Sequence, residues 1–328
     1  MAPLLRVSDL RAHYVGFGGT RVVKAVDGVS FSVEAGETFG LVGESGCGKT
    51  TTCHAIVRLL SPSGRIVSGR IELEGEDLVK KSQAEMRRIR GRRIATILQD
   101  PMASLDPLFS IYDQVAEPAY YHRSLRGRSL RQRVMELLAA VRIPSPERRM
   151  KDFPHQLSGG MRQRIVGAIA QAGGPRLIIA DEPTTNLDVT IQLQYLNLLK
   201  DLQRATGVAL IFVTHNLGIV AKMCDRVGVM YAGKIVEMQS VRGLFYRARH
   251  PYTKALLDSI PKLGVRQPLY GIPGQPPDLS ALPAGCAFHP RCQRATDRCR
   301  VEEPRQHSPN GDGHVRCWLP IEEAAARG

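Results

Sequence analysis

The sequence predicts an α/β fold whose core sheet carries a phosphate-binding loop, and three observations predict it. The octapeptide Gly43-Glu44-Ser45-Gly46-Cys47-Gly48-Lys49-Thr50 has the spacing G-x-x-x-x-G-K-[ST]. It lies between the apolar run Thr38-Phe39-Gly40-Leu41-Val42, read as a buried strand, and residues 51–60, read as a helix. A second apolar run, Leu177-Ile178-Ile179-Ala180, ends in the adjacent acids Asp181-Glu182. That places two carboxylates at the carboxyl end of a strand, where ligands of open α/β sheets bind.

Each element has a chemical reading. Glycines free the backbone N–H groups of the loop, and with the positive end of the helix dipole these point at phosphates. Lys49 then reaches the outer phosphates of a nucleotide and Thr50 ligates Mg2+. The bland alternative, a glycine-rich turn with a surface lysine, is disfavoured by the strand and helix flanks. Asp181 fits a magnesium-orienting carboxylate, and Glu182 fits a base that polarises the attacking water. His215 follows a further apolar strand over residues 209–213 and is placed to hydrogen-bond a terminal phosphate. A lone histidine after a strand is more often structural, and it is the company of Lys49, Asp181 and Glu182 that makes it a candidate.

Between these motifs lies Leu157-Ser158-Gly159-Gly160-Met161, followed by Arg162-Gln163-Arg164 and an apolar-periodic helix over residues 165–172. A Ser-Gly-Gly turn opening a helix is a second anion-binding end. With this pair of phosphate-binding helix starts the chain resembles, over nearly its whole length, the ATP-binding subunits of ABC transporters. The resemblance implies a P-loop NTPase (RecA-like) core with an antiparallel β subdomain, an inserted helical subdomain and a Cys-rich C-terminal extension. It implies ATP and Mg2+ as ligands. In that family the Leu-Ser-Gly-Gly turn caps ATP held by the opposite subunit, so Ser158, Gly159 and Gly160 act in a head-to-tail dimer. Gly43, Ser45, Gly46, Cys47, Gly48, Lys49, Thr50 and Thr51 take the place of the phosphate contacts, and Tyr14 that of the aromatic stacked on adenine. Gln99 stands where a glutamine senses magnesium and the transmembrane partner, beside Thr50 and Asp181 in the metal set and Glu182 and His215 in the catalytic set. Asn186-Leu187-Asp188 takes the place of the loop that crosses the dimer interface, with Asn186 where alanine is usual.

Composition bounds the setting. A chain of 328 residues suggests one large domain plus an appendage, and 43% hydrophobic residues suffice for a core. No run approaches the ~18 apolar residues of a membrane span. Arg6, Asp9 and Arg11 come too early for a secretory signal, so a place at the cytoplasmic face of the membrane is expected. The net charge of +14 suits nucleic acid, an anionic membrane surface or acidic partner loops. Its excess over residues 87–93 and 123–133 lacks interleaved aromatics and reads as solvated helix faces.

Along the chain, β-rich runs with turns extend to about residue 75. Residues 100–172 read as helical, with clear periodicity over residues 130–141, and form the inserted subdomain. There the family meets its membrane partner, and residues 100–107 form the expected contact loop. The α/β rhythm then resumes, with helices over residues 189–205 and 217–224 and a hairpin turning at Ala232-Gly233. No internal duplication is seen, so one chain carries half of a nucleotide sandwich. An ATP-binding domain over residues 1–260 is followed by an extension over residues 261–328, marked by Pro261, Pro268, Pro273, Pro276, Pro277 and Pro283.

The extension holds four of the seven cysteines, Cys286, Cys292, Cys299 and Cys317, with spacing C-x5-C-x6-C-x17-C. Cys47, Cys53 and Cys224 read as small packing residues. In a cytosolic chain a dense cysteine group points to metal before disulfides, and the spacing alone leaves zinc and an iron–sulfur cluster equally open. His250-Pro251-Tyr252-Thr253 and Gly285-Cys286-Ala287-Phe288-His289-Pro290-Arg291-Cys292 resemble the tail of the oligopeptide, dipeptide and nickel importers. That resemblance implies a [4Fe-4S] cluster on the four thiolates, supplying the folding energy of a tail with little core of its own.

Two functions follow. The first is the ATPase that energises an importer of di- or oligopeptides or a related small ligand, working with a second ATPase subunit (paralogue or self), two transmembrane permease subunits and, indirectly, an extracytoplasmic substrate-binding protein. The alternative is a soluble ABC-type ATPase acting on nucleic acid or ribosomes. A single nucleotide module, the absence of a long heptad arm and the His-Pro-Tyr-Thr element favour the first, without nucleic acid.

Overall fold

Strand Thr38–Val42 is buried at every position, as its unbroken apolar run predicts. It leads into the phosphate loop and then into helix Lys49–Ile56. The computed structural model describes residues 2–100, 104–185, 187–261, 271–308 and 313–321. Residues 101–103 of the expected contact loop, Asn186 and Pro268 lie outside them. The chain divides into two units, one of Met1–Pro3, Val33–Thr38 and Lys80–Val213, the other of Leu4–Ser32, Phe39–Val79 and Thr214–Gly328.

In the second unit Phe39 to Val42 pair in parallel with Arg226 to Val229. Strands Arg226–Tyr231 and Lys234–Ser240 form the expected hairpin, with Ala232 and Gly233 both at positive φ. His314–Val315 of the extension adds an edge strand antiparallel to Glu237 and Met238. A separate sheet has the order Val22–Val33, Leu5–Val15, Gly64–Leu73, Glu76–Asp77. It supplies the predicted antiparallel subdomain, since Leu5–Val15 and Gly64–Leu73 run antiparallel with a register shift between Ser8 and Arg11. Gly69 faces that irregularity at φ +99, where a Cβ would meet the Asp9 carbonyl oxygen at 2.5 Å; only glycine fits.

The first unit is a parallel sheet with helices. Ile94–Ile97 pairs with Leu177 to Ala180, and Leu177–Asp181 with Ala209 to Val213. Helices Ile111–Arg123, Gly127–Ala140 and Gly159–Ala172 pack on one another. Ser110 and Asp113 close a capping box on the first, and its interior Pro118 masks it in the sequence. Asp188 caps helix Val189–Thr206, accepting the Ile191 N–H, and Gly207 at φ +68 ends it. The helix expected over residues 51–60 is shorter, because Arg58 adopts φ +53 and breaks it.

The extension builds onto the second unit. Phe288 is 3% exposed and joins Val42, Val229, Tyr231 and Tyr252 in one hydrophobic cluster. Its ring centroid lies 5.2 Å from that of Tyr231 and 5.3 Å from that of Tyr252. Backbone bonds from Lys24 N–H to Leu279 O, at 3.0 Å, and from Arg316 N–H to Val236 O, at 2.8 Å, stitch it down.

Candidate functional site

The phosphate loop is held as its glycines require. Gly43, Gly46 and Gly48 take φ of +154, +77 and +107. A Cβ on Gly43 would strike the Met230 carbonyl oxygen at 2.2 Å, and one on Gly48 the Ala25 carbonyl oxygen at 2.1 Å. At Gly46 a Cβ would meet nothing within 4 Å, so the space beside that residue is open. Lys49 is 5% exposed, and its Nζ donates to the carbonyls of Gly43 and Glu44 at 2.8 and 2.9 Å. Among the described residues no carboxylate stands within ion-pair distance of it. A buried cation held by two backbone carbonyls and the Cys47 sulfur, in a loop of freed N–H groups, fits an anion such as the phosphates of a nucleotide. Burial pushes the Cys47 thiol up, so it sits there as a protonated packing group.

Tyr14 ends strand Leu5–Val15, its ring against Gly64 and its Oη 3.4 Å from Thr51 Oγ1. The hydroxyl-bearing Ser45 and Thr50 are exposed, and so is His215, which follows strand Ala209–Thr214.

In the other unit Asp181 ends its strand 7% exposed. Glu182 follows at φ +46, a conformation costly for a residue with a side chain and common where geometry serves chemistry. Its N–H donates to Val213 O at 3.0 Å. Its Oε2 accepts from Gln99 Nε2 at 3.2 Å and from Thr185 Oγ1 at 3.0 Å. The structure thus brings Gln99 and Glu182 together. Ser158 caps helix Gly159–Ala172, its Oγ accepting the Met161 N–H, and Gly159 and Gly160 open that helix. Asp181 and Gln99, in one unit, carry oxygen donors of the kind a hard cation such as Mg2+ takes.

The cysteine quartet requires a correction. All four cysteines line one cavity with His250, His289 and Trp318. Among the described residues no group of three or more His, Cys, Asp or Glu side chains is arranged to hold a metal ion. Burial pushes the Cys286 thiol up to about 11 and that of Cys317 up to about 12, and raises Cys292. The expected [4Fe-4S] cluster, and zinc in its place, are withdrawn. The tail is held by its aromatic anchor and backbone bonds instead. Tyr252 and Arg291, which the sequence singled out only as members of the two tail motifs, both hold Glu44 of the loop; that contact has no local signal.

A phosphate loop after a buried strand, a paired-acid strand end and a Ser-Gly-Gly helix start together define an ATP-binding cassette ATPase. Comparisons with known proteins agree. The ABC transporter family profile matches residues 26–185, and that of the oligopeptide/dipeptide transporter C-terminal region matches residues 236–299. The chain is 46% identical to a dipeptide transport ATP-binding protein of Bacillus subtilis, over 99% of this chain and 97% of that one. It is 47% identical to an oligopeptide transport ATP-binding protein of the same organism (96% and 88% covered). With a dipeptide transport ATP-binding protein of Escherichia coli the identity is 42%, over 98% of each. A dimeric ATP-binding cassette solved with ADP and Pi superposes with a TM-score of 0.64 at 26% identity, covering 73% of this chain and 99% of that one. The chain belongs to the ABC transporter family, in its branch of dipeptide and oligopeptide transport ATP-binding proteins.

Proposed function

We propose that this chain hydrolyses ATP to energise an importer of di- or oligopeptides or a related small ligand, as one half of a head-to-tail nucleotide sandwich. The observation that carries the reading is that one chain bears both the cassette and the C-terminal region of oligopeptide/dipeptide transporters, with the similarity running end to end. In this reading residues 43–51 hold the phosphates and Tyr14 stacks on adenine. Thr50, Asp181 and Gln99 hold Mg2+, which when bound neutralises phosphate charge. Glu182 draws a proton from the attacking water, its carboxylate oriented by Gln99 and Thr185, and His215 contacts the terminal phosphate. Ser158, Gly159 and Gly160 cap the nucleotide of the partner subunit. We divide the chain into a cassette over residues 1–260, with a helical part near 100–172, and an extension over residues 261–328.

No described helix is long and apolar enough to cross a membrane, so the reading assigns the span to permease partners and a peripheral, cytoplasmic-face position to this chain. A groove of about 570 Å³ in the helical part supports such docking, lined by Phe109, Tyr112, Tyr120 and Tyr121. Beside it Leu108 and Tyr121 are 81% and 69% exposed.

The test is ATP hydrolysis by this chain co-purified with its integral membrane partners. Stimulation by a peptide-loaded binding protein is the expected result. Salt-sensitive recovery of nucleic acid, with hydrolysis stimulated by it and not by peptide, would overturn the reading in favour of the soluble alternative.

A further inference from the structure

One side chain of the extension reaches the phosphate loop. Arg291, in the turn His289–Arg291, is 7% exposed. Its two terminal nitrogens donate to the two carboxylate oxygens of Glu44 at 2.7 and 3.0 Å, a bidentate pair. Its Nε donates to the Pro273 carbonyl at 2.9 Å, and Tyr231 Oη lies 3.4 Å from Nη1. The fork is thus aimed by the extension and stacked against the core.

Glu44 is the second residue of the loop, and every polar group it has is engaged. Its N–H donates to Tyr252 Oη at 3.0 Å. Its carbonyl accepts from Lys49 Nζ at 2.9 Å and from Cys47 N–H at 3.4 Å. One of the two carbonyls that seat the lysine therefore belongs to the residue that Arg291 grips. A carboxylate in an anion-binding loop also opposes phosphate by like-charge repulsion, and a buried guanidinium bonded to it cancels that charge.

We propose that Arg291 is a positioning residue for the phosphate loop: through Glu44 it fixes one of the two carbonyls on which Lys49 rests and neutralises a carboxylate that would repel the nucleotide. The extension thereby sets ATP affinity. The inference rests on the reading of residues 43–51 as the ATP phosphate site.

The experiment uses the purified full-length chain, a fluorescent ATP analogue for binding, KM and kcat for hydrolysis in the assembled transporter, and thermal midpoints. Arg291→Gln should weaken binding by about tenfold, the worth of one well-placed charge-assisted hydrogen bond, and raise KM more than it lowers kcat. Arg291→Lys, which keeps the charge but loses the fork, should fall between this variant and wild type; it carries the test if Arg291→Gln does not fold. The double variant Glu44→Gln with Arg291→Gln, which removes both charges, should regain most of the lost affinity, a rescue that a purely structural role does not give. Wild-type affinity in both Arg291 variants, or a double variant as weak as the two single losses combined, overturns the proposal. Lys49→Ala separates the two levels. If it binds ATP normally the loop reading fails; if it binds weakly while the Arg291 variants do not, only the present inference fails.

Discussion

Gln99 Nε2 donates to Glu182 Oε2 at 3.2 Å. Gln99 lies two residues beyond Ile97, and Glu182 two residues beyond Ala180, and Ile97 and Ala180 are register partners on neighbouring parallel strands. The contact is therefore a product of register: a one-residue slip of either strand would send one of the two side chains to the other face. The glutamine proposed to sense magnesium and the carboxylate proposed to work on water are held together by this bond.

Glu182→Gln should lower steady-state hydrolysis by about 10²- to 10⁴-fold and leave ATP binding intact, because it removes the proton acceptor and keeps shape and backbone demands. Turnover and nucleotide affinity on the assembled complex check this. Near-normal turnover would remove Glu182 from the role of base.

Ser158→Arg should abolish hydrolysis while the loop holding Lys49 still binds ATP. Ser158 and Gly159 are exposed at the start of the helix that the Ser158 hydroxyl caps, and a bulky cation there should block closure on the partner. In a mixed complex with one altered subunit, the loss should map to the partner's loop; a loss confined to the altered chain's own loop contradicts the head-to-tail arrangement.

Phe288→Ala should destabilise the folded chain by about 3–5 kcal/mol, as for other buried aromatic truncations. Phe288 fills the space against Tyr231 and Tyr252, so its truncation leaves a cavity beside their rings. Urea titration of wild type and variant measures the difference. A loss below 1 kcal/mol would show that the extension does not share that core.

Stability should fall on acidification partly through His250. It is 1% exposed, and its Nδ1 accepts the Tyr252 N–H at 3.0 Å; burial pushes the imidazole down to about 3 from an ordinary 6.5. The unfolded chain then binds the extra proton, so stability is full above about pH 6.5 and is lost as pH falls toward 3. Glu237, whose carboxylate accepts the N–H groups of Arg249 and His250, runs the other way, since burial raises it. His250→Gln removes the histidine contribution alone. Its urea midpoint should fall less steeply than that of wild type between pH 7 and pH 5, and parallel curves would refute the assignment.

Local features of the fold were legible in the sequence. Strand Thr38–Val42, the phosphate loop and the Ala232-Gly233 hairpin carry their geometry in adjacent residues, through apolar runs and glycines at positive φ. Helix ends were less so: Arg58 at φ +53 stops helix Lys49–Ile56 early, and nothing in the type of residue says so. What could not be read was whatever depends on distant partners. Glu44 and Arg291 are 247 positions apart. The four cysteines suggested metal by their density and by resemblance, but how their side chains are arranged is a property of the folded tail.

The covering of Tyr231 and Tyr252 by Phe288 also marks where the molecule can be cut. A chain stopped at residue 260 retains each nucleotide-binding motif, yet it bares two aromatic faces and frees the Glu44 side chain from its guanidinium. Such a fragment would present a sticky surface beside an acidic phosphate loop, prone to self-association and poor at holding ATP. The smallest well-behaved unit of this protein is longer than its motifs suggest.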